Sequence, residues 1–150
     1  MRWPKHCALI LLAFAFIANA EPAKIIKVLP HFLDLKGRHS ISPSLFDRDA
    51  YQTELRGHPE KRSAIRFDVD WSAHRFEYSA LKLRIEAKGG KGKAPTVVTL
   101  EQPVKAGTFS QWTAVTLGGK QYEDFGDLIA WRATLLYGTN VVAEQKSFLW

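Results

Sequence analysis

The sequence predicts an all-β domain, an antiparallel sandwich of about seven strands in two sheets. Apolar and polar residues alternate along much of the chain, which is the pattern of strands with one buried face. Turn sequences rich in glycine and proline separate these segments at regular spacing. With 150 residues, of which 46% are hydrophobic and 24% charged, the composition is that of a globular protein with one domain.

Residues 1–20 have the features of a cleaved signal peptide. Arg2 and Lys5 form a basic start, residues 8–18 are apolar, and Ala-Asn-Ala at 18–20 fits a cleavage motif. The apolar run is shorter than the about 20 residues that a membrane-spanning helix needs. We therefore expect an exported protein, periplasmic or extracellular, whose single domain comprises residues 21–150 and has no membrane span.

The domain expected after cleavage contains no cysteine, because the only one, Cys7, lies in the signal segment. Core packing alone must hold the sandwich together, since a disulfide is impossible. Thiol nucleophiles and cysteine-based metal sites are excluded for the same reason.

The first predicted elements are a strand and a helix. Residues 25–35 form the strand, and Pro30 within it predicts an edge position or a bulge, because proline cannot donate to a neighbouring strand. A helical insertion at about 43–57 follows, with Ser42 as its N-cap, Pro43 in the first turn and Gly57 at its end.

The next two strands, 65–71 and 81–86, are predicted to form a hairpin. Both alternate strictly, and a register that sets Trp71 opposite Leu81 brings opposite charges together on the polar face. The pairs are Asp70–Lys82, Asp68–Arg84 and Arg66–Glu86. Each such cross-strand pair contributes roughly 0.2–1 kcal/mol, so three in one register favour this pairing.

Four more strands are predicted at 96–101, 111–117, 128–137 and 141–149. The last two form a hairpin around Gly138-Thr139-Asn140, and a helical turn at 120–125 precedes them. This order of elements, over residues 24–150, resembles immunoglobulin-like and fibronectin type III-like domains. The resemblance implies a two-sheet sandwich but no particular function, because such folds carry many functions.

The strand 128–137 is apolar on both faces, apart from Arg132 and Thr134. A strand with one face in water is polar on that side, so something must cover it. We expect the inserted helix to do so; otherwise the face is an exposed apolar patch and a partner site.

Five cations are the candidate ligand-binding residues. The predicted hairpin places Lys88 opposite Ala64, which gathers the basic side chains at one end of the sandwich. They are Lys61, Arg62, Lys88, Lys91 and Lys93. Such a cluster can hold an anionic polymer or glycan, although exposed lysines also serve solubility alone. Nucleic acid is not expected, because the tip lacks the interleaved aromatic residues that stack bases.

His31, Asp34 and His39 are weak candidates for a metal site or for acid–base chemistry, as is His74 beside Glu77 and Tyr78. None shows a recognised ligand spacing. We expect neither catalysis nor a cofactor. The sequence thus predicts an exported binding or structural module of the cell envelope, whose partner is an unknown envelope protein or an anionic polymer. An enzyme built on the histidines is the less favoured alternative.

The signal segment makes a direct prediction about processing. Protein recovered from the envelope or medium should begin at Glu21, because the cleavage motif ends at Ala20. Mass spectrometry of the intact chain measures this. An Ala18→Phe variant should keep its leader, since the motif needs a small side chain there. An exported wild-type chain that still begins at Met1 would refute the assignment.

Overall fold

A computed structural model describes residues 22–74, 76, 80–92 and 94–150. The predicted signal segment, Glu77, Tyr78 and Lys93 lie outside the described residues. The fold is the predicted all-β sandwich, with seven strands in two antiparallel sheets. One sheet has the strand order β1-β2-β5 and the other β4-β3-β6-β7. The strands are β1 (Ala23–Asp34), β2 (Arg62–Ala73), β3 (Leu81–Gly89), β4 (Thr96–Pro103), β5 (Gln111–Gly118), β6 (Leu128–Tyr137) and β7 (Asn140–Lys146).

Two helices interrupt the strands at the predicted places: α1 (Leu45–Gly57) follows β1, and α2 (Gly119–Phe125) precedes β6. Helix α1 begins later than predicted, because Ser44 rather than Ser42 is its N-cap: the Ser44 hydroxyl accepts a hydrogen bond from the Asp47 amide. Pro59–Lys61 adds a short 3-10 turn before β2. Among the described residues, no helix is both long and apolar enough to cross a membrane.

The predicted hairpin between β2 and β3 is wrong. β2 pairs with β1 and β5, whereas β3 pairs with β4 and β6. The predicted inward faces are correct, since Phe67 and Trp71 of β2 and Leu83 and Ile85 of β3 are all fully buried in one core. The two strands therefore belong to different sheets, and their apolar faces line a common core.

The charged residues of these strands find other partners. Arg66 bonds to Asp68 of its own strand. On β3, Lys82 and Arg84 share one carboxylate of β4, that of Glu101, each at 2.7 Å. Glu86 bonds to Arg132 of β6. The predicted charge pairing failed because more than one neighbouring strand offers a complementary charge.

The edge position predicted for β1 from its proline is confirmed, and α1 lies against this strand. The buried Gln52 side chain of α1 accepts a hydrogen bond from the Phe32 amide (2.8 Å) and donates to the Phe32 carbonyl (2.9 Å). It also donates to the His39 carbonyl at 2.8 Å. One side chain thus satisfies both backbone groups of Phe32.

The expectation that α1 covers the outer face of β6 is wrong, because the helix packs on β1 of the other sheet. That face of β6 instead carries Arg132, which bonds to Glu86. The Trp150 ring packs against Arg132 and Lys88. The ring centroid is 4.9 Å from the guanidinium carbon of Arg132 and 4.1 Å from Nζ of Lys88. Trp150 and Glu86 thus contact this face at Arg132.

The role of Gln52 can be tested by removing its amide. Gln52→Ala leaves the Phe32 N–H and C=O without partners in a partly buried position, and an unpaired group of this kind costs about 1–3 kcal/mol. We expect the free energy of unfolding, measured by urea denaturation, to fall by that amount. Thr53→Ala, on the exposed side of the same helix, is the control. Equal stability of the two variants would contradict this role.

Candidate functional site

A cleft of about 770 Å³ lies at one end of the sandwich. Its walls come from the first residues of β2, the loop after β3, and the segment from α2 to β6. The lining includes Leu35, Pro59, Arg62, Lys91, Tyr122, Glu123, Gly126 and Asp127. It therefore combines two cations and two carboxylates with apolar and aromatic surface.

The Arg62 guanidinium is the most constrained group of the cleft, with only 2% of its side chain exposed. Its Nε and Nη2 donate to the carbonyls of Leu55 and Arg56, at the end of α1. Its third partner is the Asp127 carboxylate, 2.6 Å from Nη1. The Phe32 ring lies beneath it, with the centroid 4.2 Å from the guanidinium carbon. A planar group held in this way has little freedom to move.

The two members of the Arg62–Asp127 pair differ sharply in exposure, since the Asp127 side chain is 71% exposed. The carboxylate can turn into water, whereas the guanidinium cannot follow. The pair also contributes to the wall of a second, smaller cleft of about 340 Å³, which Phe32, Arg56 and Leu128 line. Both cavities thus share one buried cation and its exposed counterion.

Two other polar side chains border the cleft. Burial raises the pKa of the buried Tyr122 hydroxyl, against the opposing effect of the nearby Arg62. The hydroxyl stays protonated at neutral pH and can donate a hydrogen bond. Lys91 Nζ donates to the Glu123 carbonyl, which holds this lysine at the rim.

The glycine-rich loop after β3 is packed against the turn between α2 and β6. Gly126 has a φ of +80°, and a Cβ on it would lie 2.6 Å from Lys91 Cβ. A Cβ on Gly89 would clash with the Phe125 carbonyl. Glycine is required at both positions because the two segments touch through their backbones. This contact sets Lys91 beside α2.

The four predicted cations that the structure describes do not form one cluster. Arg62 and Lys91 line the cleft, whereas Lys61 bonds to Glu54 of α1 at 2.6 Å. Lys88 is opposite Val97 and Ala130 rather than Ala64, because β2 and β3 are in different sheets. Lys93 is outside the described residues.

The weak candidates His31, Asp34 and His39 separate into two groups. The histidine rings are 5.3 Å apart between centroids, and His31 Nε2 is 3.6 Å from Asp68. Asp34 instead accepts hydrogen bonds from the Arg38 amide and guanidinium and from the Tyr51 hydroxyl. Burial raises the pKa of this carboxyl, but these donors outweigh it and leave the pKa well below its ordinary value. Within the described part of the chain, no three His, Cys, Asp or Glu side chains are placed to hold a metal ion.

The other histidine candidate, His74, contacts the Gly107 carbonyl at 3.1 Å. Its expected neighbours Glu77 and Tyr78 are not among the described residues. A hydrogen bond to a backbone carbonyl anchors the loop after β2 to the segment between β4 and β5, which is a structural contact.

Sequence reasoning missed Asp127, Tyr122 and Glu123 as site residues. Asp127 is 65 residues from Arg62 along the chain, so no local spacing connects them. The sequence offered only an indirect indication. A buried arginine needs a carboxylate partner, and Asp127, in the turn before β6, is one of several carboxylates that could have been that partner.

Comparisons with models of known protein families, with curated proteins and with solved structures found no match to this chain. The chemistry of the cleft is therefore the basis on which a function can be assigned.

The histidine pair makes stability depend on pH. Burial, the neighbouring Arg66 and the charge of Arg48 lower the pKa of both His31 and His39 below 6.5, while Asp68 opposes them. The unfolded chain then binds protons at a higher pH than the folded one. We expect the free energy of unfolding to decrease as the pH falls below about 6.5.

Urea denaturation at about pH 7.5 and pH 5.5 measures this dependence. The double variant His31→Gln, His39→Gln should lose part of the decrease, whereas His58→Gln, which removes an exposed histidine elsewhere, should retain it. A double variant with the wild-type pH dependence would count against the pair as its source.

Proposed function

We propose that the protein is an exported, non-catalytic module that binds an anionic ligand of the cell envelope in this cleft, an acidic polymer or glycan. Arg62 and Lys91 contact the anion. The observation that carries the proposal is the immobile guanidinium of Arg62, whose only carboxylate partner, among the described residues, is largely exposed.

An entering anion exchanges with Asp127 at the guanidinium. Carboxylate and phosphate groups bind guanidinium through strong, charge-assisted hydrogen bonds. Because Asp127 can return to water, the exchange replaces one such bond with another and leaves no buried carboxylate unpaired. Arg62 needs no rearrangement, since the α1 carbonyls and Phe32 already hold it. A preorganised cation of this kind loses little entropy on binding.

The other lining residues suit the remainder of such a ligand. The Lys91 ammonium lies at the rim and adds a second positive charge. The Tyr122 hydroxyl can donate to a ligand oxygen, while Leu35 and Pro59 offer apolar surface. Sugars present both hydroxyl and apolar faces, so an acidic glycan matches this combination of side chains.

Binding to immobilised polyanions tests the proposal. We expect the protein to bind a polyuronate or polyphosphate but not an uncharged glucan, and to dissociate as salt rises. Lys91→Gln should weaken binding about three- to tenfold, which is the effect of one lost ion contact. Asp127→Asn should strengthen it, because the competing carboxylate is gone.

Matched variants separate the cleft from net charge. Lys61→Gln and Lys88→Gln make the same charge change outside the cleft, and Asp49→Asn matches Asp127→Asn. These controls should bind like the wild type. If Lys88→Gln weakens binding as much as Lys91→Gln, the overall positive charge and not the cleft holds the polymer. If the wild type binds no polyanion, the proposed function is wrong.

A further inference from the structure

The two sheets have four edge strands, β1 and β5 in one and β4 and β7 in the other. An edge strand presents unpaired backbone groups that can recruit another strand. Proteins protect such edges with proline, bulges, charged residues or a covering element.

Three of these edges carry such protection. β1 has Pro30, two irregularities in its register with β2 and the Gln52 side chain over Phe32. β4 contains the charged Glu101 and ends in Pro103. β7 contains Glu144 and Lys146, and its pairing with β6 has an irregularity.

β5 has no charged residue, no proline and no irregularity in its register. Its sequence, QWTAVTLG, contains no charge and no proline, and consists largely of residues that favour strands. Its register with β2 is unbroken from Gln111 to Gly118. In the part of the chain that the structure describes, its backbone makes no hydrogen bond outside the ladder with β2. Trp112 on its outer face is 56% exposed.

We propose that β5 pairs antiparallel with β5 of a second copy of this chain, around a two-fold axis at Ala114. The two β1-β2-β5 sheets then form one continuous sheet. The open backbone edge selects a strand as the occupant, and the distribution of side chains on β5 and β2 selects a second copy in this orientation.

A centre at Ala114 keeps both faces of the sheet in register. Opposed residues of antiparallel strands lie on the same face, as do residues two apart in one strand. Trp112 then faces Thr116 of the second copy on the outer face, and Thr113 faces Val115 on the core side. The exposed indole of Trp112 gains a cross-strand neighbour, which is the favourable pairing of an aromatic with a β-branched residue.

The charges of β2 favour the antiparallel arrangement. Asp70 is beside Trp112 and Arg66 is beside Thr116 in the register of β2 with β5. In the antiparallel dimer, Asp70 of each copy lies at the same level along the sheet as Arg66 of the other copy. The two β5 strands lie between them. The central row carries Asp68 of both copies, each paired with Arg66 of its own chain. A parallel arrangement would set all three charged residues opposite their own copies, so the antiparallel arrangement brings fewer like charges together.

Sedimentation equilibrium over a range of concentrations tests this pairing with the protein produced from the full sequence. The wild type should show a reversible monomer–dimer equilibrium. Ala114→Lys places two lysines against each other at the axis. The new lysine lies beside Asp68 of its own chain in both monomer and dimer, so only the contact between the two lysines is specific to the dimer. We expect its dimer dissociation constant to rise at least about tenfold.

Thr99→Lys is the matched control, because it places a lysine beside Glu86 on the edge strand of the other sheet. It should dimerise like the wild type. An equimolar mixture of Ala114→Lys and Ala114→Glu should restore the dimer, since opposite charges then meet at the axis. That rescue also shows that the variants are folded.

Three results would overturn the proposal. They are a wild type that stays monomeric at every concentration, a dimer that Ala114→Lys does not weaken, and a dimer that Thr99→Lys abolishes. The last result would assign the interface to β4. Polyanion binding is measured separately on the wild type, diluted to concentrations at which it is monomeric, so this proposal and the proposed function can fail independently.

Discussion

The structure depends on the apolar core between β2 and β3. Phe67, Val69 and Trp71 from one strand and Leu83 and Ile85 from the other are fully buried in it, and each such side chain contributes about 1.5–3 kcal/mol by leaving water. Each strand pairs on both sides within its own sheet, so every other strand joins the fold through one of these two or through β6. The described part of the chain has no cysteine, so this packing holds the two sheets together without a disulfide.

Polar contacts join helix α1 to β1 and to the start of β2, beside the fully buried Leu55 of the helix. Gln52 pairs with the backbone of the β1 edge, and Arg62 at the start of β2 donates to the last carbonyls of the helix, where a cation also opposes the negative end of the helix dipole. The same arginine forms the base of the cleft. The contact that holds the helix is thus also the contact that presents a fixed positive charge, so fold and candidate site share one residue.

Alternation predicted the strands and their inward faces, because a period of two shows directly which side chains are buried. Cap and stop signals predicted α1, and the turn sequence at 138–140 predicted the hairpin of β6 and β7. It could not identify the neighbours of β2, since the charges of β3 find complementary partners on β4 and β6 as well. The error in pairing led to the error in the cation cluster: Arg62 and Lys91 meet in a cleft, but Lys88 lies under Trp150. Asp127 and Arg62 are brought together only by the tertiary fold, so no local sequence pattern could predict their contact.

The strand order also determines how this chain must fold. The hairpins β3–β4 and β6–β7 join neighbours in sequence, whereas β2 with β5 and β3 with β6 join segments separated by several other elements. Bringing such distant segments together costs chain entropy before their contacts form. We therefore expect this topology to fold in milliseconds to seconds. During that interval β2, with the largest share of the core, has its β5 side unpaired. Until β5 pairs with β2, both edges of its uncharged sequence are open, so this segment is the one exposed to intermolecular pairing.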